Sequence, residues 1–244
     1  MKPHQCEKTT TRYARPPEPY QTMNTKKNPY TLLIYFTIIL LAGFMQSNVS
    51  ADDWRPAATK NGVQTFLRSV EDSKYKAVRG EAILPVNVAK LVAVINDAPA
   101  CPEWADLCAE SYIQHQPSDQ EAFIYTHNDM PWPVKDREVL AHVKWSKNAE
   151  GQVTMQSTAV ADEIIRTTAK EKNIVRIERA NASWQFTPVE DGNTHTIFEI
   201  HMNPNGAIPG WLLNRLIINS PFTTFENLTR QATKAKYVNA ELPF

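Results

Sequence analysis

The chain has little cysteine and little glycine, three and seven in 244 residues, and its charges cancel, 26 Lys plus Arg against 26 Asp plus Glu. Three cysteines cannot build a disulfide-dense scaffold or a four-thiolate zinc module. Without a net positive charge there is no overall field to drive nucleic-acid binding. No internal repeat or low-complexity tract is present, which excludes solenoid, collagenous and disordered architectures. Gly-x-Ser-x-Gly elbows, His-Glu-x-x-His zinc helices, phosphate loops and dinucleotide fingerprints are missing as well. What is there, 42% hydrophobic and 21% charged residues with 17 prolines, describes an ordinary globular chain of one or at most two domains.

The longest uncharged run, Tyr30 to Met45, follows Lys26 and Lys27 directly. Sixteen residues are short for a membrane span, which needs roughly 20. They read as the core of a signal peptide, with Val49-Ser50-Ala51 offering small residues for cleavage after Ala51. A start at Met23 would give this leader the short basic region that secretory signals carry. The competing reading keeps the segment as an uncleaved anchor. Residues 1–51 hold six basic and two acidic residues, leaving 20 basic and 24 acidic in 52–244. The expected mature part is thus a mildly acidic, exported domain, secreted or periplasmic if the source is Gram-negative, expected as a monomer and with no nucleic-acid partner.

Cys6 departs with that leader, and Cys101 and Cys108 are left. In an oxidising compartment a pair seven positions apart in the turn-rich stretch Cys101-Pro-Glu-Trp-Ala-Asp-Leu-Cys108 is readily joined. The alternative is two buried thiols that never meet.

Residues 52–244 suffice for a single domain with a substantial core. Strand alternation runs over Gly62–Val70, Tyr75–Leu84, Glu121–Asn128, Glu138–Trp145, Val153–Val160, Ile174–Arg179, Ala182–Thr187 and His195–Met202. Between the second and third of these, Pro85 to Asp97 carries apolar residues at helical spacing. After Pro209 a long closing helix is predicted, because Leu213, Ile217, Pro221, Phe225, Leu228, Ala232 and Ala235 recur at steps of three and four. Pro221 is expected to kink or interrupt it. A second apolar row, Leu212, Leu216 and Phe222, widens the face until the helix is better embraced than laid flat. The expected class is α+β, a curved antiparallel sheet wrapped around the C-terminal helix with a hydrophobic tunnel between them.

Two segments carry a family likeness. His201-Met-Asn-Pro-Asn-Gly-Ala-Ile-Pro-Gly-Trp-Leu-Leu-Asn214 resembles the Asp-Pro-Gly-Gly-x-Ile-Pro-x-Trp-Leu-x-Asn turn that leads into the last helix of START domains, the lipid-transfer family named for steroidogenic acute regulatory protein. Pro131-Trp-Pro-Val-Lys-Asp-Arg-Glu138 resembles that family's Pro-x-x-x-Arg-Asp segment, which opens a central strand. Trp184 and Pro188 continue the similarity, which covers roughly residues 60 to 238. Asn203 stands where an Asp is usual, Asn205 where a Gly is, and Glu138 where an Asp is. The resemblance implies a helix-grip fold, a nine-stranded sheet enclosing a tunnel for one lipid, with no catalysis, cofactor or metal. The acid and base pair of steroid-binding members has no counterpart that aligns.

On the strand opening at Arg137, one parity presents Arg137, Val139, Ala141, Val143 and Trp145, and it reads as the inward, ligand-lining face. Leu213, Ile217 and Phe225 face it from the closing helix. Trp145 is expected to wall one end of the tunnel. Arg137, the single charge on this parity, must meet an acid, loop carbonyls or a ligand anion. The loop 147–152, with Gly151, and the Pro221 kink are the candidate gates. Trp211 is expected as a buried anchor of the final turn, with a membrane-touching role as the alternative. His195, Glu199 and His201, and His127 with Asp129, read as polar residues on solvated strand faces rather than as metal ligands.

These readings converge on a domain that holds one hydrophobic or amphipathic lipid and contacts membranes transiently. A small-molecule enzyme such as a cyclase, or a lipid sensor, using the same cavity is the alternative.

Overall fold

Apolar and polar residues alternate in strand after strand of the computed structural model, which describes residues 53–161, 173–206 and 208–244. The expected leader and its cleavage site lie outside the described residues. Ten strands are found among the described residues: β1 (Arg55–Lys60), β2 (Val63–Arg68), β3 (Ala77–Leu84), β4 (Cys108–Ser118), β5 (Glu121–Asn128), β6 (Arg137–Lys147), β7 (Val153–Ala159), β8 (Val175–Arg176), β9 (Arg179–Pro188) and β10 (Thr194–Asn203). Nine form one antiparallel path in the order β1-β2-β3-β10-β9-β7-β6-β5-β4. The two-residue β8 pairs in parallel with Arg137 and Glu138 of β6.

Two of these strands do not show in the sequence pattern, and both are edges. β1 is exposed along nearly its whole length and contains Pro56; β4 is exposed at nine of its eleven positions and contains Pro117. An edge strand with water on both faces is under no pressure to alternate, and proline is tolerated there. The run Ile174–Arg179, expected as a full strand, contributes only the two residues of β8 and the first residue of β9.

The first helix, α1 (Val88–Asn96), is capped by Asn87, whose side chain accepts from the Lys90 N–H at 3.0 Å, and it buries Val88, Leu91, Val92, Val94 and Ile95. The second, α2 (Gly210–Ala232), has Pro209 as its cap and runs through Pro221 as one helix, so of the expected kink or interruption the interruption does not occur. Proline withholds one N–H from the Ile217 carbonyl, yet packing holds the helix together on both sides of it. Gly80 of β3 explains part of that packing. A Cβ at Gly80 would lie 3.0 Å from Pro221 Cβ and 3.2 Å from Phe225 Cε2, so glycine lets α2 approach the sheet this closely.

The inward rows of the sheet change character along the strands. At one end Thr194, Thr196, Trp184, Phe186, Val153, Met155, Val143 and Trp145 are buried, and they pack with α1, Phe225 and Leu228 in the main core. Towards the other end the same rows continue as Phe198, Ile200 and Met202, Ala182 and Ala180, Ser157 and Ala159, and Ala141 and Val139, all only half-buried. Along α2 the gradient repeats: Phe222, Phe225, Leu228 and Ala232 are buried, while Leu213, Leu216 and Ile217 are half-buried. On β6, β7 and β9 large side chains fill one end of the grip and small ones line the other, so packing stops short of closing the space; on β10 the order is reversed, Thr194 and Thr196 giving way to Phe198, Ile200 and Met202.

Candidate functional site

That unfilled end is a cavity of two lobes, with volumes of about 280 and 270 Å³. Lobe one lies under the first half of α2, against Leu213, Leu216, Ile217 and Pro221, and reaches Met130, Pro204 and Ile208 of the neighbouring loops. Lobe two lies over the sheet, on Val139, Ala141, Val143, Met155, Ala180 and Ala182. Seven of the described residues line both: Trp104, Asn128, Ile177, Trp184, Phe198, Ile200 and Met202. They form a waist, and the walls on either side of it are predominantly aliphatic and aromatic, as a site for an apolar ligand requires.

The candidate lining residues divide between the two lobes and the core. Val139, Ala141 and Val143 line lobe two; Leu213, Ile217 and Arg137 line lobe one. Trp145 and Phe225 line neither. Trp145 packs 6.5 Å from Phe186 and 6.1 Å from Phe244, and Phe225 lies 5.5 Å from Trp184, both inside the filled core. Trp145 shares the inward parity of Val139, Ala141 and Val143, but its position along the strand puts it beyond the hollow.

Arg137 is 3% exposed, and loop carbonyls take up its donors. Its Nε donates to the Pro204 carbonyl at 3.1 Å, one Nη to that of Asn205 at 2.8 Å and the other to that of Lys135. Burial draws its pKa below the usual guanidinium value, with the neighbouring Asp136 and Tyr75 opposing. Asp136 itself accepts from the Met130 N–H at 3.0 Å and meets His127 Nε2 at 3.2 Å. Burial works to raise the Asp136 pKa, but those two bonds and the His127 charge outweigh it, and the net shift is downward. Arg137 therefore ties the β5–β6 loop to the turn before α2.

The same end carries two exposed indoles. Trp132, in the β5–β6 loop, is 91% exposed, and Trp211, in the first turn of α2, is 64% exposed. The buried anchor expected of Trp211 is supplied instead by its neighbour Leu212, because one residue's step around the helix turns one inward and the other out. The loop 147–152 is no part of this end. It joins β6 and β7 beyond the filled core, is closed by Asn148 N–H to Gln152 carbonyl and Gly151 N–H to Asn148 carbonyl bonds, and lines neither lobe.

Cys101 and Cys108 are joined in a disulfide, with Cα atoms 6.0 Å apart. The loop they close carries Trp104, whose backbone N–H donates to the Cys101 carbonyl at 3.1 Å, and Asp106, whose backbone N–H donates to Thr224 Oγ1 of α2 at 3.2 Å. The Trp104 ring stands edge-on to Trp184 at 6.2 Å.

Glu138 sits on the face of β6 opposite the lining row. Glu138 is fully buried on that face, accepting from Arg176 Nε at 3.0 Å and from the Tyr125 hydroxyl at 2.8 Å. Tyr125 stacks on Tyr112 at 4.8 Å, and burial together with its bond to Glu138 holds its pKa above the ordinary value. The pairing is invisible to periodicity because Arg176 arrives from β8, 38 residues away. The other polar residues considered pair off separately: His195 with Glu81 at 2.7 Å, Glu199 with Arg79 at 2.7 Å and His201 with Ser73 at 3.0 Å. Among the described residues no three His, Cys, Asp or Glu side chains converge on a point where a metal ion could sit.

The family model of the START domain matches residues 43–235. An uncharacterized protein of Pseudomonas aeruginosa is 32% identical over 203 residues, 83% of this chain and 98% of that one. A crystal structure of a STAR-related lipid transfer protein fragment from Xanthomonas axonopodis has a TM-score of 0.65 and 29% identity, covering 75% of this chain and all of that one. The human StAR-related lipid transfer protein 5 has a TM-score of 0.66 at 14% identity, covering 83% of this chain and 97% of that one, and at that identity the likeness concerns the fold alone.

Proposed function

The chain belongs to the START domain family, and from that premise we propose that it holds one apolar or amphipathic lipid in the two-lobed cavity and carries it between membranes without altering it chemically. The observation that carries this reading is the size gradient along the inward rows of β6, β7 and β9. Alanine, serine and valine at positions 139, 141, 157, 159, 180 and 182 keep open a space that the tryptophans and phenylalanines fill at the other end. Affinity would come from burying the ligand's carbon skeleton, at about 25 cal/mol per Å² removed from water, less the cost of ordering it.

The polar lining supports binding over catalysis. Among the described residues the titratable groups that line the two lobes are Asp106 and Arg137, and the donors of Arg137 are engaged by carbonyls. Ser111 donates to the Tyr125 carbonyl at 2.9 Å, and Thr126 lies 3.3 Å from its hydroxyl, an arrangement that satisfies both without a base between them.

Membrane contact would be made at the Arg137 end. Trp132 and Trp211 project from the two segments that Arg137 ties together, beside the loop residues that wall lobe one. Indoles favour the interface between lipid and water. We place the domain outside the cytoplasm as a monomer of residues 52–244, a reading supported by the Cys101–Cys108 disulfide, which suits an oxidising compartment. No helix among the described residues is long and apolar enough to cross a membrane.

The test is direct loading. The purified protein is incubated with vesicles of phosphatidylethanolamine and phosphatidylglycerol, the vesicles are removed by flotation, and the protein is extracted and analysed by mass spectrometry. One vesicle lipid, or one lipid kept from the expression host, recovered per chain is expected. Protein that leaves the vesicles with no lipid, and carries none from the host, contradicts the reading.

A further inference from the structure

Neither lobe is large enough for a whole chain of an ordinary membrane lipid. A methylene takes up about as much room as a water molecule in the liquid, roughly 30 Å³. Volumes of about 280 and 270 Å³ therefore hold about nine carbons each, and the two together hold one acyl chain of about eighteen. A bilayer phospholipid brings two chains of that size, twice what the lobes accommodate. Placing one of its chains in each lobe leaves half of both outside. Threading one chain through both lobes leaves the other in water, where its exposed apolar surface offsets what was gained.

The two lobes also differ in where they lead. Lobe one is walled by Met130, Pro204 and Ile208, in the segments beside Trp132 and Trp211, whose indoles stand in solvent. Lobe two ends against Val143 and Met155, which belong to the filled core, and the next residue of the inward row after Val143 is the buried Trp145. Lobe one is thus the way in and lobe two the blind end. Six of the seven described residues at the waist are aromatic, isoleucine or methionine, so the middle of a chain passes through an apolar ring.

Building on the lipid-binding reading, we propose that the ligand is a single-chain lipid of about eighteen carbons, with its terminal methyl in lobe two, its middle at the waist and its polar end at the mouth beside Trp132 and Trp211. A head that stays at the mouth asks for no free charge inside, where the guanidinium of Arg137 is committed to carbonyls. In the vesicle-loading test, the lipid recovered should accordingly be one kept from the host and carrying a single chain.

The probes are saturated lysophosphatidylethanolamines from octanoyl to docosanoyl, and dioleoyl phosphatidylethanolamine, the same head on two chains. Each competes against bound oleoyl lysophosphatidylethanolamine on the delipidated full protein, and occupancy is read by native mass spectrometry. In the wild type the affinity should rise by about two- to fourfold with each added methylene and level off near stearoyl, when both lobes are full. The two-chain lipid should bind at least about tenfold more weakly than the oleoyl single-chain probe. Ala182→Phe, which places a ring in lobe two, should move the levelling point down to about ten carbons while the decanoyl probe keeps its wild-type affinity within about threefold. The wild-type series stands without any variant. An affinity that climbs unbroken to docosanoyl, a two-chain lipid bound as tightly as the single-chain one, or a folded Ala182→Phe with an unmoved levelling point overturns the single-chain assignment and leaves the lipid-binding reading intact. Failure of the wild type to bind any probe, host lipid or vesicle lipid overturns both.

Discussion

Arg137 Nε donates to the backbone carbonyl of Pro204 across 3.1 Å, joining the start of β6 to the turn that precedes α2. With Lys135 and Asn205 also accepting, the guanidinium closes the end of the grip where lobe one lies. Replacing Arg137 by Gln should therefore lower stability by about 2–4 kcal/mol, since carbonyls are left without donors, while the affinity for a loaded lipid changes by less than about threefold. Denaturant melts and lipid competition on the same samples check this. An unchanged melt with selective loss of anionic lipids would instead make Arg137 a headgroup ligand.

Gly80 sets how closely α2 lies on the sheet. A methyl there meets Pro221 Cβ at 3.0 Å, and neither the proline ring nor the backbone behind it yields easily. Gly80→Ala should destabilise the domain by about 1–3 kcal/mol through overpacking, read as a lower melting temperature. A variant melting with the wild type would show that the helix has slack at this point.

The exposed indoles predict a membrane phenotype separable from stability. Because Trp132 and Trp211 are largely in water, replacing both by Ala should leave the melting temperature within a degree or two. Co-sedimentation with vesicles and the rate of lipid exchange should each fall several-fold. Unchanged vesicle binding by the double variant would move the membrane-facing surface elsewhere.

Asp97 caps the C-terminus of α1 and accepts from the Tyr237 hydroxyl at 2.6 Å and from Lys236, tying α1 to the chain's end. Burial pushes the Asp97 pKa up, but the bonds from Lys236 and Tyr237 outweigh it and the net shift is downward. A carboxyl whose folded pKa is depressed contributes stability above its unfolded pKa, near 3.8, and loses it as the pH falls through the lower folded value. Tyr237 behaves in the opposite sense: burial, and then its bond to Asp97, push it up to about 12, so its contribution is whole below pH 10 and declines as the pH rises through that interval. Asp97→Asn should flatten the acid limb of the stability curve, and the phenolate absorbance of Tyr237 should emerge only near pH 12. A tyrosine that titrates at its ordinary value would disprove the clamp.

The grip was legible in the sequence because burial on one face imposes alternation, and the strands with a buried face, β2, β3, β5, β6, β7, β9 and β10, all show it. β1 and β4 escaped because edges carry no such pattern. The lining residues were half legible. Parity gives the face on which Val139, Ala141, Val143 and Trp145 sit, but not how far along the strand the aromatic filling ends, and so Trp145 and Phe225 fell in the core. Trp104 was visible only as a residue inside a cysteine loop. Nothing local reveals that its indole reaches the waist between two lobes, just as nothing local brings Arg176 to Glu138.

The central claim is that small side chains keep a lipid-sized space between α2 and the sheet. Native mass spectrometry of freshly purified wild type alongside Ala182→Phe and Ala141→Phe, each of which places a ring in lobe two, tests it most directly. The account predicts a single lipid adduct on the wild-type chain, lost or reduced at least about tenfold in both variants, with melting temperatures equal to the wild type's or higher as the rings bury apolar surface. Variants that keep the adduct at wild-type occupancy would contradict it, as would a wild type that shows only the bare chain mass after exposure to vesicles.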